Sequence, residues 1–290
     1  MLAQADARVQ AAYQHCLRIV QGHYENFPVA SLLLPKDLRY AIAVIYAFAR
    51  TADDYADEGE LSEQQRLDYL ETYSNNLDAL QHGEPDNDIF VALKHVIVTH
   101  QLPAQLFHDL LSAFKQDVTK KRYQSFNEVL DYCRRSANPV GRLLLHLLKQ
   151  ATPQNLQYSD AICSSLQLIN FLQDIAQDYD ENGRIYLPLD EMQQFGVNEQ
   201  QIATRQSTDA MRAFINQQTQ RAKTMILDGA PLGNRIHGRF GLQLRMMING
   251  GLQVLNLLEN QTQSVFTRPR LKTMDWLKIA AFGVSKKYVQ

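Results

Sequence analysis

The chain has 290 residues, 45% of them hydrophobic, enough to bury one large core. Lys and Arg total 29 against 31 Asp and Glu, and the resulting net charge of −2 argues against the basic field of a nucleic-acid binder. Three widely spaced cysteines, Cys16, Cys133 and Cys163, form no C-x-x-C pair, so neither a disulfide framework nor a zinc site is expected and a reducing cytoplasm fits.

The N-terminal stretch MLAQADARVQAAYQHC lacks a basic region followed by an apolar one, so no signal peptide is expected. The longest apolar run, Ala41 to Ala49, has nine residues and is too short to cross a bilayer. A soluble protein is the expectation, resting at most on a membrane surface. Apolar residues recur with a period near 3.6, which predicts helices over 5–22, 36–57, 61–81, 87–100, 103–120, 125–149, 159–180, 198–228, 235–264 and 270–284. Breaks fall at Pro28, Pro35, Gly83–Pro85, Pro103, Pro153, Gly183–Pro188 and Gly229–Pro231. Pro139 and Gly141 predict a kink within 125–149. With no internal repeat or long linker, residues 1–290 read as a single all-α domain.

Two segments carry the chemistry. In the helix over 36–57, an apolar stretch leads into Arg50-Thr-Ala-Asp53-Asp54-Tyr-Ala-Asp57. Asp53 and Asp57 share a face, with Arg50 one turn before Asp53. Taken alone, this segment fits a solvated acidic helix end as well as a cation site. The second segment places Asn170, Asp174 and Asp178 at i, i+4 and i+8, flanked by Gln167 and Gln177. Leu166, Leu168, Ile169, Phe171, Leu172 and Ile175 cover the remaining faces. Acids in such a setting demand a partner. Carboxylate and amide oxygens are hard ligands suited to Mg²⁺, and two such rows facing across a bundle could hold two or three ions around a diphosphate. A di-iron bundle needs Glu-x-x-His pairs, and none of the eight histidines has Glu three residues before it. Walker, zincin and nucleophile-elbow motifs are also missing from the sequence.

These residues resemble the head-to-head prenyl diphosphate synthases, the squalene and phytoene synthases. Arg50 with Asp53-Asp-x-x-Asp57 is similar to that family's first motif. Asn170-x-x-x-Asp174-x-x-x-Asp178, followed by Gly183-Arg184-Ile-Tyr186-Leu-Pro188, is similar to its second. Phe27 to Pro35, Tyr132 and Val140-Gly141 add to the likeness, which runs from about His23 to Pro188. The resemblance implies a helical bundle of the isoprenoid-synthase type with a central cavity, acting on a prenyl diphosphate. It implies Mg²⁺ ligation by Asp53, Asp57, Asn170, Asp174 and Asp178, with Asp54 in support. It further implies diphosphate contacts from Arg50 and Arg184, and places Tyr132 and Gln167 at the reacting centre.

Gln173, where squalene- and phytoene-type members carry Arg, together with Ala137-Asn138-Pro139-Val140-Gly141 and Thr267-Arg-Pro-Arg-Leu271, resembles the hopanoid-pathway branch. That branch includes a hydroxysqualene synthase acting on presqualene diphosphate, with water rather than hydride capturing the cation. The expectation is therefore Mg²⁺ and no NADPH, with Asn138 and Gln173 as candidates to hold the water. Formation of presqualene diphosphate, squalene or phytoene from linear prenyl diphosphates, and a non-catalytic subunit beside a pathway enzyme, stay open as alternatives. Simple chain-elongating enzymes usually carry two Asp-Asp-x-x-Asp motifs, which the second row here does not match. Between Arg268 and Gln290, six Lys/Arg accompany one acid, Asp275, and interleave with Trp276, Leu277, Ile279 and Phe282. This segment reads either as a basic amphipathic membrane contact on the inner membrane face or as a last helix packed on the bundle.

Overall fold

The computed structural model describes residues 6–22 and 36–289. His23 and the Phe27–Pro35 block singled out in the sequence lie outside the described residues. The chain falls into two compact units: Met1–Thr119 with Arg142–Ala151, and Lys120–Gly141 with Thr152–Gln290.

The first unit is built from α1 (Ala7–Gly22), α2 (Lys36–Asp57), α3 (Glu63–Ala79), α4 (Asp88–His100) and α5 (Gln105–Thr119). Sequence punctuation explains the ends. Ser62 and Gln65 form a capping box on α3, and Asn87 caps α4 by accepting from the Ile89 N–H. The run Ala41–Ala49 makes α2 the central helix, packing on α1, α3, α4 and α5. Phe48 anchors it, stacked on Tyr73 at 5.1 Å between centroids and edge-on to Phe107 at 5.3 Å and Phe90 at 6.0 Å.

The second unit holds α6 (Phe126–Ser136), the start of α7 (Asn138–Leu147), α8 (Pro153–Gln173), α9 (Ile175–Asn182), α10 (Leu189–Gln194), α11 (Glu199–Ala203), α12 (Asp209–Gly229), α13 (Leu232–Arg235), α14 (Gly238–Glu259) and α15 (Thr273–Ser285). The kink predicted in 125–149 is a full break at Ala137, because Pro139 has no N–H to continue the ladder. Pro153 starts α8 instead of ending a helix: it stands in the first turn after the Thr152 cap, where a missing N–H costs nothing. The helix predicted over 198–228 is divided, since Arg205 takes a positive φ of 57° and Thr208 caps α12 anew. Periodicity also missed a short parallel ladder, β1 (Arg122–Tyr123) beside β2 (Ile185–Pro188). Its strands are too short to show alternation.

Small residues set two close approaches in this unit. A Cβ on Gly141 would stand 2.6 Å from Cys163 Sγ, so α7 meets α8 only through a glycine. Gly251 does the same on α14, where a Cβ would lie 2.7 Å from Ile226 Cδ1, whereas its neighbour Gly250 faces open space. Of these two adjacent glycines only Gly251 sits at a close approach.

Candidate active site

The first acidic row occupies the last two turns of α2. Ala52 and Ala56 are buried on its inner side, Asp53 and Asp54 are half-buried, and Asp57 is exposed. Arg50 balances the row from within the same helix. Its guanidinium lies 3.4 Å from Asp53 Oδ2 and 2.7 Å from Asp54 Oδ1, and it also pairs with Glu58. The Asp54 contact is at ion-pair distance but lacks the alignment of a hydrogen bond. This pairing is insufficient for Asp53. Desolvation first and Asp57 second push its carboxyl up to about 6, against the pull of Arg50. Asp117 on α5 adds to that push. This buried acid was not among the sequence candidates. Its signal was the buried row Leu106, Leu110, Ala113, Asp117, which follows the helical period and puts a carboxylate where a core residue belongs.

The second row spans a discontinuity. α8 ends at Gln173 and α9 begins at Ile175, with Asp174 between them at φ −112°, ψ 16°. Backbone bonds still bridge the joint, from the Asp174 N–H to the Asn170 carbonyl at 2.9 Å and from the Asp178 N–H to the Asp174 carbonyl at 2.8 Å. Asn170, Asp174 and Asp178 therefore keep their near-helical succession over a bent axis. Leu168, Ile169, Phe171, Leu172 and Ile175 are buried behind them, as the pattern predicts; Leu166 is only half-buried.

Burial raises the Asp174 carboxyl, with Arg268 opposing that rise. Arg268 Nε stands 3.1 Å from Asp174 Oδ1, an oxygen that is buried and has no aligned hydrogen-bond donor. The 267–271 segment, noted in the sequence only as a branch likeness, thus supplies the counter-charge. Gln173 reaches the same segment, donating weakly from Nε2 to the Pro269 carbonyl at 3.4 Å.

Around this row the ladder and α6 place aromatic rings. Phe171 stacks on Tyr186 at 4.0 Å, and Tyr132 lies 5.4 Å from Tyr186 and 5.8 Å from Tyr123. Tyr132 is buried, and Tyr123 and Tyr186 join it through a β-pairing that periodicity does not reveal. Gln167 is half-buried on α8. Asn138 is buried, and its Oδ1 accepts from Ser164 Oγ at 2.9 Å. Arg184 is buried as well, following the left-handed Gly183 that closes α9, and its N–H donates to the Asp178 carbonyl at 2.9 Å. Arg122 fixes this turn by pairing with Glu199 (2.5 Å) and donating to the Gly183 carbonyl.

Both rows suit a hard divalent cation. Desolvation and then its acidic neighbours raise the Asp53 carboxyl, and the buried Asp174 Oδ1 lacks an aligned donor. Among the described residues no three His, Cys, Asp or Glu side chains converge into a metal cage. Mg²⁺ needs none, since it keeps water and is typically held by one or two carboxylates plus substrate phosphates.

The fold and site define an all-α protein with two acidic rows, each facing an arginine. Comparison with known proteins narrows this. The squalene/phytoene synthase family profile matches residues 20–276. A hydroxysqualene synthase of Rhodopseudomonas palustris is 35% identical over 260 residues, covering 89% of this chain and 87% of that protein. One from Zymomonas mobilis is 36% identical, covering 78% and 76%. The crystal structure of a squalene synthase from Alicyclobacillus acidocaldarius superposes with a TM-score of 0.84 at 32% identity, covering 92% of this chain and 99% of the other. This chain belongs to the squalene/phytoene synthase family.

Proposed function

We propose that this protein converts presqualene diphosphate and water into hydroxysqualene and diphosphate, with residues 1–290 acting as one catalytic domain. The observation that carries the reading is the surroundings of Asp174: a half-buried carboxylate whose buried Oδ1 lacks an aligned donor, with Gln173 beside it and the Phe171–Tyr186 stack close by in the chain. The hydroxysqualene synthases at 35% and 36% identity support the same branch.

In this reading Asp53, Asp57, Asn170, Asp174 and Asp178, supported by Asp54, would hold two or three Mg²⁺, whose charge would neutralise the diphosphate and make it a better leaving group. Arg50 and Arg184 bind diphosphate oxygens by charge-assisted hydrogen bonds. The C–O bond breaks with its electron pair leaving on the diphosphate. Tyr132, Phe171 and Tyr186 present ring faces that stabilise the remaining cyclopropylcarbinyl cation, and Gln167 helps hold the substrate. After rearrangement a water oxygen donates its lone pair to the cation, and the surplus proton passes to solvent. Gln173 Oε1 can accept from that water and the Asn138 amide can donate to it, turning a lone pair toward carbon. No hydride donor is consumed, so NADPH is not required.

The test supplies Mg²⁺ without NADPH and offers either presqualene diphosphate or farnesyl diphosphate. Hydroxysqualene from the first and no product from the second is the expected result. Presqualene diphosphate, dehydrosqualene or phytoene formed from a linear prenyl diphosphate would overturn the branch while keeping the family.

A further inference from the structure

The helix α15 is amphipathic in the inverted sense. Its packed face carries Asp275, Ile279 and Gly283, at i, i+4 and i+8. That face is tied down from inside: Gln253 Nε2 donates to Asp275 Oδ1 at 2.8 Å, and Arg245 Nε donates to the Gly283 carbonyl at 2.7 Å. The residues beyond it are held as well, with the Val289 N–H donating to Asn249 Oδ1 at 2.8 Å. The orientation of α15 is therefore fixed, and its other face is turned outward.

That outward face is apolar. Met274 is 64% exposed, Leu277 60% and Val284 69%; they follow one another at three and seven residues, with exposed Ala281 between the last two. Trp276, 56% exposed, stands at its margin. Among the described residues, the large apolar side chains that stay exposed are these four together with Tyr69, Val98 and Leu227, so one 13-residue helix holds most of them. Contiguous apolar surface of this kind marks a binding face.

The charges around it have one sign. Arg270, Lys272, Lys278, Lys286 and Lys287 are exposed around the helix, and the one acid of the segment, Asp275, is buried and bonded inward. Lys278 and Lys287 also edge a groove of about 1100 Å³ floored by Leu227, Leu257 and Phe282. A protein partner would have to meet both the apolar strip and a uniformly cationic rim. An anionic bilayer offers both at once, acyl chains below and phosphate headgroups around. At 1.5 Å per residue the helix is about 20 Å long, short of the roughly 30 Å hydrocarbon core. No helix among the described residues is long and apolar enough to cross a membrane. We propose that α15 lies in the plane of an anionic membrane, with Met274, Leu277, Ala281 and Val284 in the acyl boundary and the lysines at the headgroups.

Trp276 is the chain's single tryptophan and reports on this directly. Full-length protein is mixed with vesicles of phosphatidylcholine containing about a quarter phosphatidylglycerol. Co-sedimentation together with a blue shift of the Trp276 emission is expected, weakening on going to ~0.5 M salt. A Leu277→Glu/Val284→Glu double variant should lose roughly tenfold or more in vesicle partitioning while its thermal unfolding stays unchanged. Three outcomes would overturn the assignment. Wild-type protein could stay in the supernatant with unshifted emission; the double variant could bind as well as the wild type; or Trp276 could shift with protein concentration alone as sedimentation velocity shows a dimer. None of these readouts uses turnover, so their failure leaves the catalytic reading standing.

Discussion

The two acidic rows differ in where their balancing charge comes from. On α2, Arg50 pairs with Asp53 and Asp54 of the same helix and with Glu58 just past its end, so the arrangement is local to that stretch of chain. On α8 and α9 the helix breaks at Asp174, and the counter-charge is Arg268, delivered by the segment after α14. In the first row desolvation and the neighbouring carboxylates raise Asp53 despite Arg50. The second row depends on the tertiary fold for its counter-charge. In the proposed reading the same ligand chemistry is prepared twice, once by sequence spacing and once by chain return.

The sharpest test of their equivalence is amide substitution. Asp53→Asn and Asp174→Asn should each lower turnover about 10²–10³-fold, the range for losing one group that stabilises transition-state charge. Circular dichroism and melting temperature should stay close to wild type, because each change removes a carboxylate held in an unfavourable setting. Retained activity in either variant would assign the chemistry to the other row alone. Removing the arginines probes neutralisation instead. Arg50→Ala leaves Asp53, Asp54 and Glu58 without their shared partner and should cost about 1 kcal/mol in urea unfolding. Arg268 is half-exposed and meets one acid, so Arg268→Ala should cost about 0.5 kcal/mol or less. The reverse order would mean that the returning segment, and not the local helix, bears the larger electrostatic load.

The smallest effect expected concerns acid. Lys120 holds the Glu128 carboxyl below its ordinary value, chiefly through a side-chain hydrogen bond, and Arg122 does the same for Glu199. A lowered carboxylate stabilises the fold above its unfolded value near 4.5, and that contribution is lost as pH falls through the lower folded value. The melting temperature of the second unit should therefore slope downward below about pH 4.5. Glu128→Gln should flatten that slope, as read by calorimetry from pH 6 to 3.5.

The α2 row was legible in the sequence because every element of it is local: an apolar run, an arginine one turn before the first acid, and helical spacing. The i, i+4, i+8 succession of Asn170, Asp174 and Asp178 was legible too, and survives the break through its backbone bonds. The break was not, for Asp174 interrupts no period. Arg268 could not be matched to Asp174 without the fold, and Tyr123 and Tyr186 meet through a ladder too short to leave a pattern. The last helix shows the opposite limit. Its composition left both core packing and membrane contact open, and only the bonds to Asp275 and Gly283 show which side faces out.

Gly251 has a mechanical consequence. A single carbon added there would crowd Ile226 of α12 together with Leu166 and Ile169 of α8, so three helices share one point of closest approach. A larger residue at Gly251 would therefore have to displace side chains on two neighbouring helices at once. The same helix carries Arg245 and Gln253, which bond Gly283 and Asp275 of α15, so α14 supports both contacts.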